Sequence, residues 1–216
     1  MTGLLIAVAA AVILGAVLAW FVLAPWVRRN LRGPVWRPVA RGWLTVAVAV
    51  CSGLITAVVG WSWSLPALLM FGASGAALAA ADLLERRIPN RMLLVAAPLV
   101  GLAIVAGAVG RGSFVPVLWA TGGAAGLFVL YLVIALLAPS AMGMGDVKLA
   151  AVVGGVLGFV GPSAILGGLV AIAVVGGVAA ILLIAIRRGS VRSGVPYGPA
   201  LVAGGLIGAL LVIATS

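Results

Sequence analysis

Apolar runs of about twenty residues recur along the chain, and short gaps between them hold most of its charge. A run of that length crosses the hydrocarbon core of a bilayer as a helix, so the expected fold is all-α and polytopic. With 65% of residues apolar and 7% charged, too little polar surface remains to cover a soluble core of this size. The runs fall at residues 4–24, 43–59, 67–84, 91–110, 114–137, 146–160 and 163–186, and a last one opens at Pro196-Tyr197-Gly198-Pro199 and reaches Thr215. About eight spans result, of which the sixth is the shortest. The opening Met1-Thr2-Gly3-Leu4 lacks a basic leader, and the run behind it is too long for a signal-peptide core, so it reads as a retained first span.

The net charge of +10 does not point to nucleic acid, because the basic residues sit in the gaps and form no basic helical face. Their distribution sets orientation instead, since cytoplasmic loops collect Lys and Arg. With both termini outside, the cytoplasmic gaps hold Arg28, Arg29, Arg32, Arg37 and Arg41, then Arg86, Arg87 and Arg91, then Lys148, then Arg187, Arg188 and Arg192. Arg111 alone falls on the other side. The whole chain, 1–216, therefore reads as a single membrane domain, with residues 25–42 as a short basic cytoplasmic connection. Trp20, Trp26, Trp61 and Trp63 suit the interfacial aromatic belt, and the run from Trp61 to Pro66 reads as a tight turn.

Cys51 stands alone in an apolar run, and there is no histidine. Disulfide frameworks, thiolate metal sites and histidine-dependent nucleophiles are excluded, so acid–base chemistry must fall to carboxylates, lysine or tyrosine. The chain has three acidic residues. Asp82 closes the third run, just before Glu85-Arg86-Arg87-Ile88-Pro89-Asn90, where proline ends the helix and Asn90 is expected to cap the next. Asp146 follows Gly143-Met144-Gly145 and precedes Lys148 at the start of the sixth run.

Each aspartate has an ordinary explanation. Arg86 lies one turn from Asp82 and would pair with it, and Asp146 would cap its own helix. Glu85 reads as a surface ion-pair partner of Arg86 or Arg87. Yet two of three acids fall at matching depth on one membrane face, where ionisable groups face a bundle interior or an aqueous cavity. Two carboxylates sharing such a pocket cannot both ionise readily, so one holds a proton while the other acts as a base. Such a pair can activate water against a peptide carbonyl and protonate the departing group. Gly143 and Gly145 would allow close backbone approach and unusual backbone angles, or form a plain flexible turn. Lys148 would lower the Asp146 pKa or, the plainer reading, bind phospholipid head groups. The pairs Gly122/Gly126, Gly154/Gly158 and Gly204/Gly208 read as helix-packing contacts.

Asp82 with Arg86-Arg87-Ile88-Pro89-Asn90, then Gly143-Met144-Gly145-Asp146-Val147-Lys148-Leu149, then Pro196-Tyr197-Gly198-Pro199, resembles the prepilin peptidases, the GxGD-type intramembrane aspartyl proteases. Three motifs in order cover most of the chain from the third run onward, with residues 67–186 as the expected peptidase core. The resemblance implies removal of the basic leader of type IV prepilins or pseudopilins at the cytoplasmic face of the bacterial inner membrane. It implies Asp82 and Asp146 as the catalytic pair, Gly143 and Gly145 as shapers of the site, and Pro196, Gly198 and Pro199 packed near it. No cofactor is expected for proteolysis. Many members also carry paired CxxC motifs after the first span and methylate the product with S-adenosylmethionine; here that stretch is short, basic and free of cysteine, so the resemblance carries the peptidase and leaves the methyltransferase, with its S-adenosylmethionine, open. The competing reading is a proton- or cation-coupled transporter using the same aspartates, although carriers place such groups nearer the bilayer midplane.

Overall fold

The computed structural model describes residues 2–32, 38–138, 142–186 and 196–216. The middle of the basic connection, the Pro139-Ser140 pair and the gap holding Arg187, Arg188 and Arg192 lie outside the described residues. All regular structure among the described residues is helical: α1 (Thr2–Leu18), α2 (Ala24–Asn30), α3 (Pro38–Val59), α4 (Leu65–Glu85), α5 (Asn90–Gly110), α6 (Val115–Leu137), α7 (Met144–Val160), α8 (Pro162–Ile186) and α9 (Gly198–Thr215). The chain is an all-α polytopic membrane protein. Seven stretches among the described residues are long and apolar enough to cross a membrane, the first being the continuous Thr2–Asn30. The expected sixth span is α7, whose 17 residues reach about 25 Å at 1.5 Å per residue. That falls short of a hydrocarbon core about 30 Å thick, and α7 is enclosed by its neighbours over most of its surface.

The first helix does not stop at Ala24 as hydropathy suggests. Pro25 has no N–H and its ring would strike the carbonyl one turn back. A π-helical turn over Ala19–Leu23 widens the helix there, with the Ala24 N–H reaching Ala19 O, and the helix runs on to Asn30. With Ala24 committed to Ala19 and Pro25 unable to donate, the Trp20 carbonyl is left over. Arg41 takes it, donating Nη2–H at 2.8 Å while its guanidinium stacks 3.9 Å from the Trp20 ring centroid. The connection expected over 25–42 is thus helical at both ends, and a pinned arginine joins α3 to the kink.

Neighbours in sequence pack as antiparallel pairs, and α4, α7 and α9 form the centre of the bundle. The apolar window of α4 is 61% buried, against 11% for the first span and 17% for α8, so these two face lipid most. Lipid tails supply no hydrophobic drive between helices, and close packing must replace it. It does so backbone to backbone. A Cβ on Gly154 would lie 2.2 Å from the Gly123 carbonyl oxygen, and one on Gly158 would lie 2.1 Å from that of Trp119, so α6 and α7 touch along their main chains. Likewise Gly204 abuts the Ile172 backbone and Gly208 that of Gly168, joining α9 to α8. The Gly154/Gly158 and Gly204/Gly208 pairs pack as expected. Gly122 and Gly126 do not: both are exposed, with no heavy atom within 4 Å of an added Cβ. The contact stripe of α6 runs one residue over, through Trp119, Gly123 and Leu127.

The same substitution at a packed and at an open glycine should therefore act with opposite sign. Gly154→Ala is expected to destabilise the folded protein by roughly 1–3 kcal/mol in detergent, because the facing backbone cannot yield. Gly122→Ala should be neutral or stabilising by up to about 1 kcal/mol, from helix propensity. Thermal unfolding of the two variants in the same micelles checks the assignment.

Candidate active site

The α4–α5 junction turns sharply. Arg86 adopts a left-handed conformation with φ 53°, its N–H bonds back to the Asp82 carbonyl, and the helix ends. The ion pair expected between Arg86 and Asp82 does not form among the described residues. The cap of α5 also differs from expectation: Pro89, in extended geometry, precedes the first helical residue, and its carbonyl accepts from Met92 and Leu93. The Asn90 side chain is left for another task, accepting from Lys148 Nζ at 3.0 Å and so tying α5 to α7. Glu85 pairs with Arg87 Nη2 at 2.5 Å and accepts the Arg32 backbone N–H, so it stitches the end of α4 to the chain beyond α2. Its side chain is 8% exposed, which makes it an anchor more than a surface partner.

Asp82 occupies the last turn of α4 and is 3% exposed. Its Oδ2 accepts the backbone N–H of Gly198 at 2.9 Å, from the first residue of α9. A Cβ at position 198 would lie 2.9 Å from that same oxygen, so glycine is what lets the α9 main chain reach the carboxylate. Pro199 opens α9 beside it, in the first turn where its missing N–H costs nothing. Pro196 leads into this turn, and Tyr197 lies with its ring centroid 6.1 Å from that of the buried Tyr131 of α6. This tyrosine pair went unread in the sequence, although the two are the only tyrosines in the chain.

Asp146 stands in the first turn of α7 and is half-buried. Its Oδ2 accepts the Gly143 N–H at 3.2 Å, which is one half of a capping box, since glycine has no side chain to return the bond; the ordinary reading of Asp146 as a cap holds for that one oxygen. The other oxygen, Oδ1, is buried and has no hydrogen-bond partner among the described residues. Such an atom costs about 1–3 kcal/mol and asks for a reason. The two aspartates come from helices that touch, and each carboxyl lies within electrostatic range of the other.

The glycines differ in what they do. Gly143 has φ −85° and ψ 155°, ordinary extended backbone open to most residues, so no special angle requires it. Gly145 lies against the turn before α5: a Cβ there would sit 3.0 Å from Ile88 Cβ and 3.2 Å from the Ile88 carbonyl oxygen. Its missing side chain is filled by the protein's own backbone. Beside the α7 terminus opens a cavity of about 620 Å³, lined by residues including Arg29, Arg87, Arg91, Met144, Gly145 and Lys148; neither aspartate lines it. Among the described residues no group of three or more His, Cys, Asp or Glu could hold a metal ion. At the opposite end of the bundle Arg111 lies 4.6 Å from the Phe159 ring centroid and donates to Ser64 Oγ. The one basic residue that the loop pattern left out is thus held by its own neighbours.

Fold and site together define a helical membrane protein that brings two carboxylates from separate spans to the basic end of its bundle. A model of the type IV leader peptidase family matches residues 69–186, more than half of the chain, and the protein belongs to that family. Both aspartates lie inside the matched range, while the Gly198 turn lies beyond it. Comparison with curated proteins and with solved structures returns no match.

The contact between Gly198 and Asp82 predicts coupling. Gly198→Ala should lower stability, and the loss should shrink in an Asp82→Ala background, where the crowded oxygen is gone. The coupling is expected at about 0.5–3 kcal/mol in a double-mutant cycle read by unfolding in micelles; independent effects would mean the two groups do not touch.

Proposed function

We propose that the protein is an aspartyl endopeptidase that removes the leader of type IV prepilins or pseudopilins, with Asp82 and Asp146 as a general acid/base pair. Family membership supports a leader peptidase-type protease. The observation that carries the finer reading is that the two carboxylates, on helices that touch, lie within electrostatic range of each other, one of them with a buried oxygen that no described group occupies. In each aspartate one oxygen is held by a backbone N–H, from Gly198 or from Gly143, which fixes the carboxyl plane and leaves its second oxygen for substrate or water.

The chemistry follows from the pair sharing a proton. The ionised carboxylate takes a proton from water as its oxygen bonds to the scissile carbonyl carbon; the protonated partner gives its proton to the leaving nitrogen as the C–N bond breaks. Both products leave with protons balanced and the pair is reset by exchange with water. Either aspartate can fill either role, because the proton belongs to both. Gly145 and Lys148 act on position here, by keeping the α7 terminus against the α5 terminus.

The basic end of the bundle carries Arg29, Arg32, Arg87, Arg91 and Lys148 around one cavity. The preference of Lys and Arg for the cytoplasmic side therefore favours a site facing the cytoplasm of a bacterial inner membrane. A transporter reading is weaker, since both acids lie in terminal helical turns and not at the midplane. Methylation by S-adenosylmethionine is not included in the proposal.

Co-expression with a candidate prepilin tests it by gel shift. The parent should shorten the substrate, and Asp82→Asn and Asp146→Asn should each reduce cleavage by about 10²-fold or more at equal expression. Asparagine keeps a side-chain oxygen to accept either backbone N–H, so these variants should still fold. Parental cleavage rates in either variant would overturn the pair mechanism.

A further inference from the structure

Two cavities meet at Arg29, and neither is used by the two-aspartate chemistry. One is the polar cavity of about 620 Å³, with Arg29, Arg32, Arg87, Arg91 and Lys148 in its wall. The other is a groove of about 490 Å³ between the first helix and α4–α5, walled by Phe21, Leu23, Trp26, Met70, Val95 and Leu99, with Arg29 at its end. The groove is apolar along its length. Of the five cations, Arg87 is matched by Glu85, and Lys148 is met by the neutral Asn90 oxygen. The whole chain has three acids to set against these five cations. The cavity therefore presents an excess of positive charge.

Its depth is defined by the helices that form it. Arg29 and Arg32 flank the end of the Thr2–Asn30 span, Arg87 follows the Leu65–Glu85 span, and Arg91 opens the Asn90–Gly110 span. Apolar spans end where the bilayer gives way to head groups, so the cavity lies at head-group level while the groove below it lies among acyl chains.

We infer that the two cavities form one binding site for an anionic phospholipid, its phosphate among Arg29, Arg32 and Arg91 and one acyl chain in the groove beside α4 and α5. Guanidinium groups bind phosphate oxygens through paired, charge-assisted hydrogen bonds, and Arg29 stands where head group and chain join. A spanning helix from a protein partner fits less well: the groove volume equals about one 5.4 Å turn of a helix about 10–12 Å across. The site borders Gly145 and Lys148, so an occupied cavity braces the α5–α7 junction that positions Asp146. The inference does not depend on the peptidase reading, because its test measures binding.

The purified full chain is unfolded thermally in mixed micelles containing phosphatidylglycerol, phosphatidylcholine, or phosphatidylcholine with inorganic phosphate. Phosphatidylglycerol should raise the melting temperature by several degrees over phosphatidylcholine. Arg29→Gln and Arg91→Gln should each weaken that effect about tenfold in lipid concentration, and Val95→Trp, which fills the groove, should remove it while leaving the protein folded. Should Val95→Trp fail to fold, the two arginine variants decide. Equal stabilisation by both lipids overturns the inference. So does an equal shift from inorganic phosphate, which would leave the groove without a role. A shift produced in phosphatidylcholine by an apolar peptide bearing one glutamate would assign the cavities to a protein partner, and would overturn it too.

Discussion

Close contact between helix backbones is what this bundle depends on. Leucine and valine gain nothing by leaving lipid for one another, so the free energy of assembly comes from van der Waals contact and from hydrogen bonds that survive only at short range. Gly123 against Gly154, Trp119 against Gly158, Ile172 against Gly204 and Gly168 against Gly208 supply that contact. They weld α6 to α7 and α8 to α9, and α7 and α9 then meet in the bundle centre. Everything at the basic end inherits its position from these pairs, since α7 carries Asp146 and α9 begins with the N–H that holds Asp82.

Polar groups at the helix ends then fix the geometry that packing leaves loose. Each uses a donor or acceptor that regular helix geometry had released. The π turn frees the Trp20 carbonyl for Arg41. The proline cap of α5 frees the Asn90 amide for Lys148, and the first turn of α9 offers the Gly198 N–H to Asp82. Of these only the Gly198–Asp82 bond is buried, where an unpaired group would be costly, and together the three make the ends of the bundle specific.

Much of the architecture could be read from hydropathy, because span length is imposed by bilayer thickness and not by neighbours. Helix faces could not. Gly122 and Gly123 are equally apolar in every scale, and only the partner helix decides that the second is buried and the first exposed. Pro25 misleads for a local reason: proline ends most helices, but a wider turn ahead of it removes the clash. Asn90 misleads because a good capping residue was needed more as a link to α7. The aspartates stood out through scarcity, three acids among 216 residues. The partner of Asp82 was legible only as a resemblance, for a backbone N–H carries no side-chain signature, and Tyr131 gave no hint of meeting Tyr197 across the bundle.

The Gly198 contact spans 116 positions of the chain. During synthesis α4 leaves the ribosome on the order of ten seconds before α9 does, at bacterial elongation rates. Through that interval Asp82 lacks the Gly198 N–H that holds its carboxyl in the folded protein. On the proposed mechanism a nascent chain arrested between the two helices is an incomplete hydrolase, and its maturation waits on the insertion of α9.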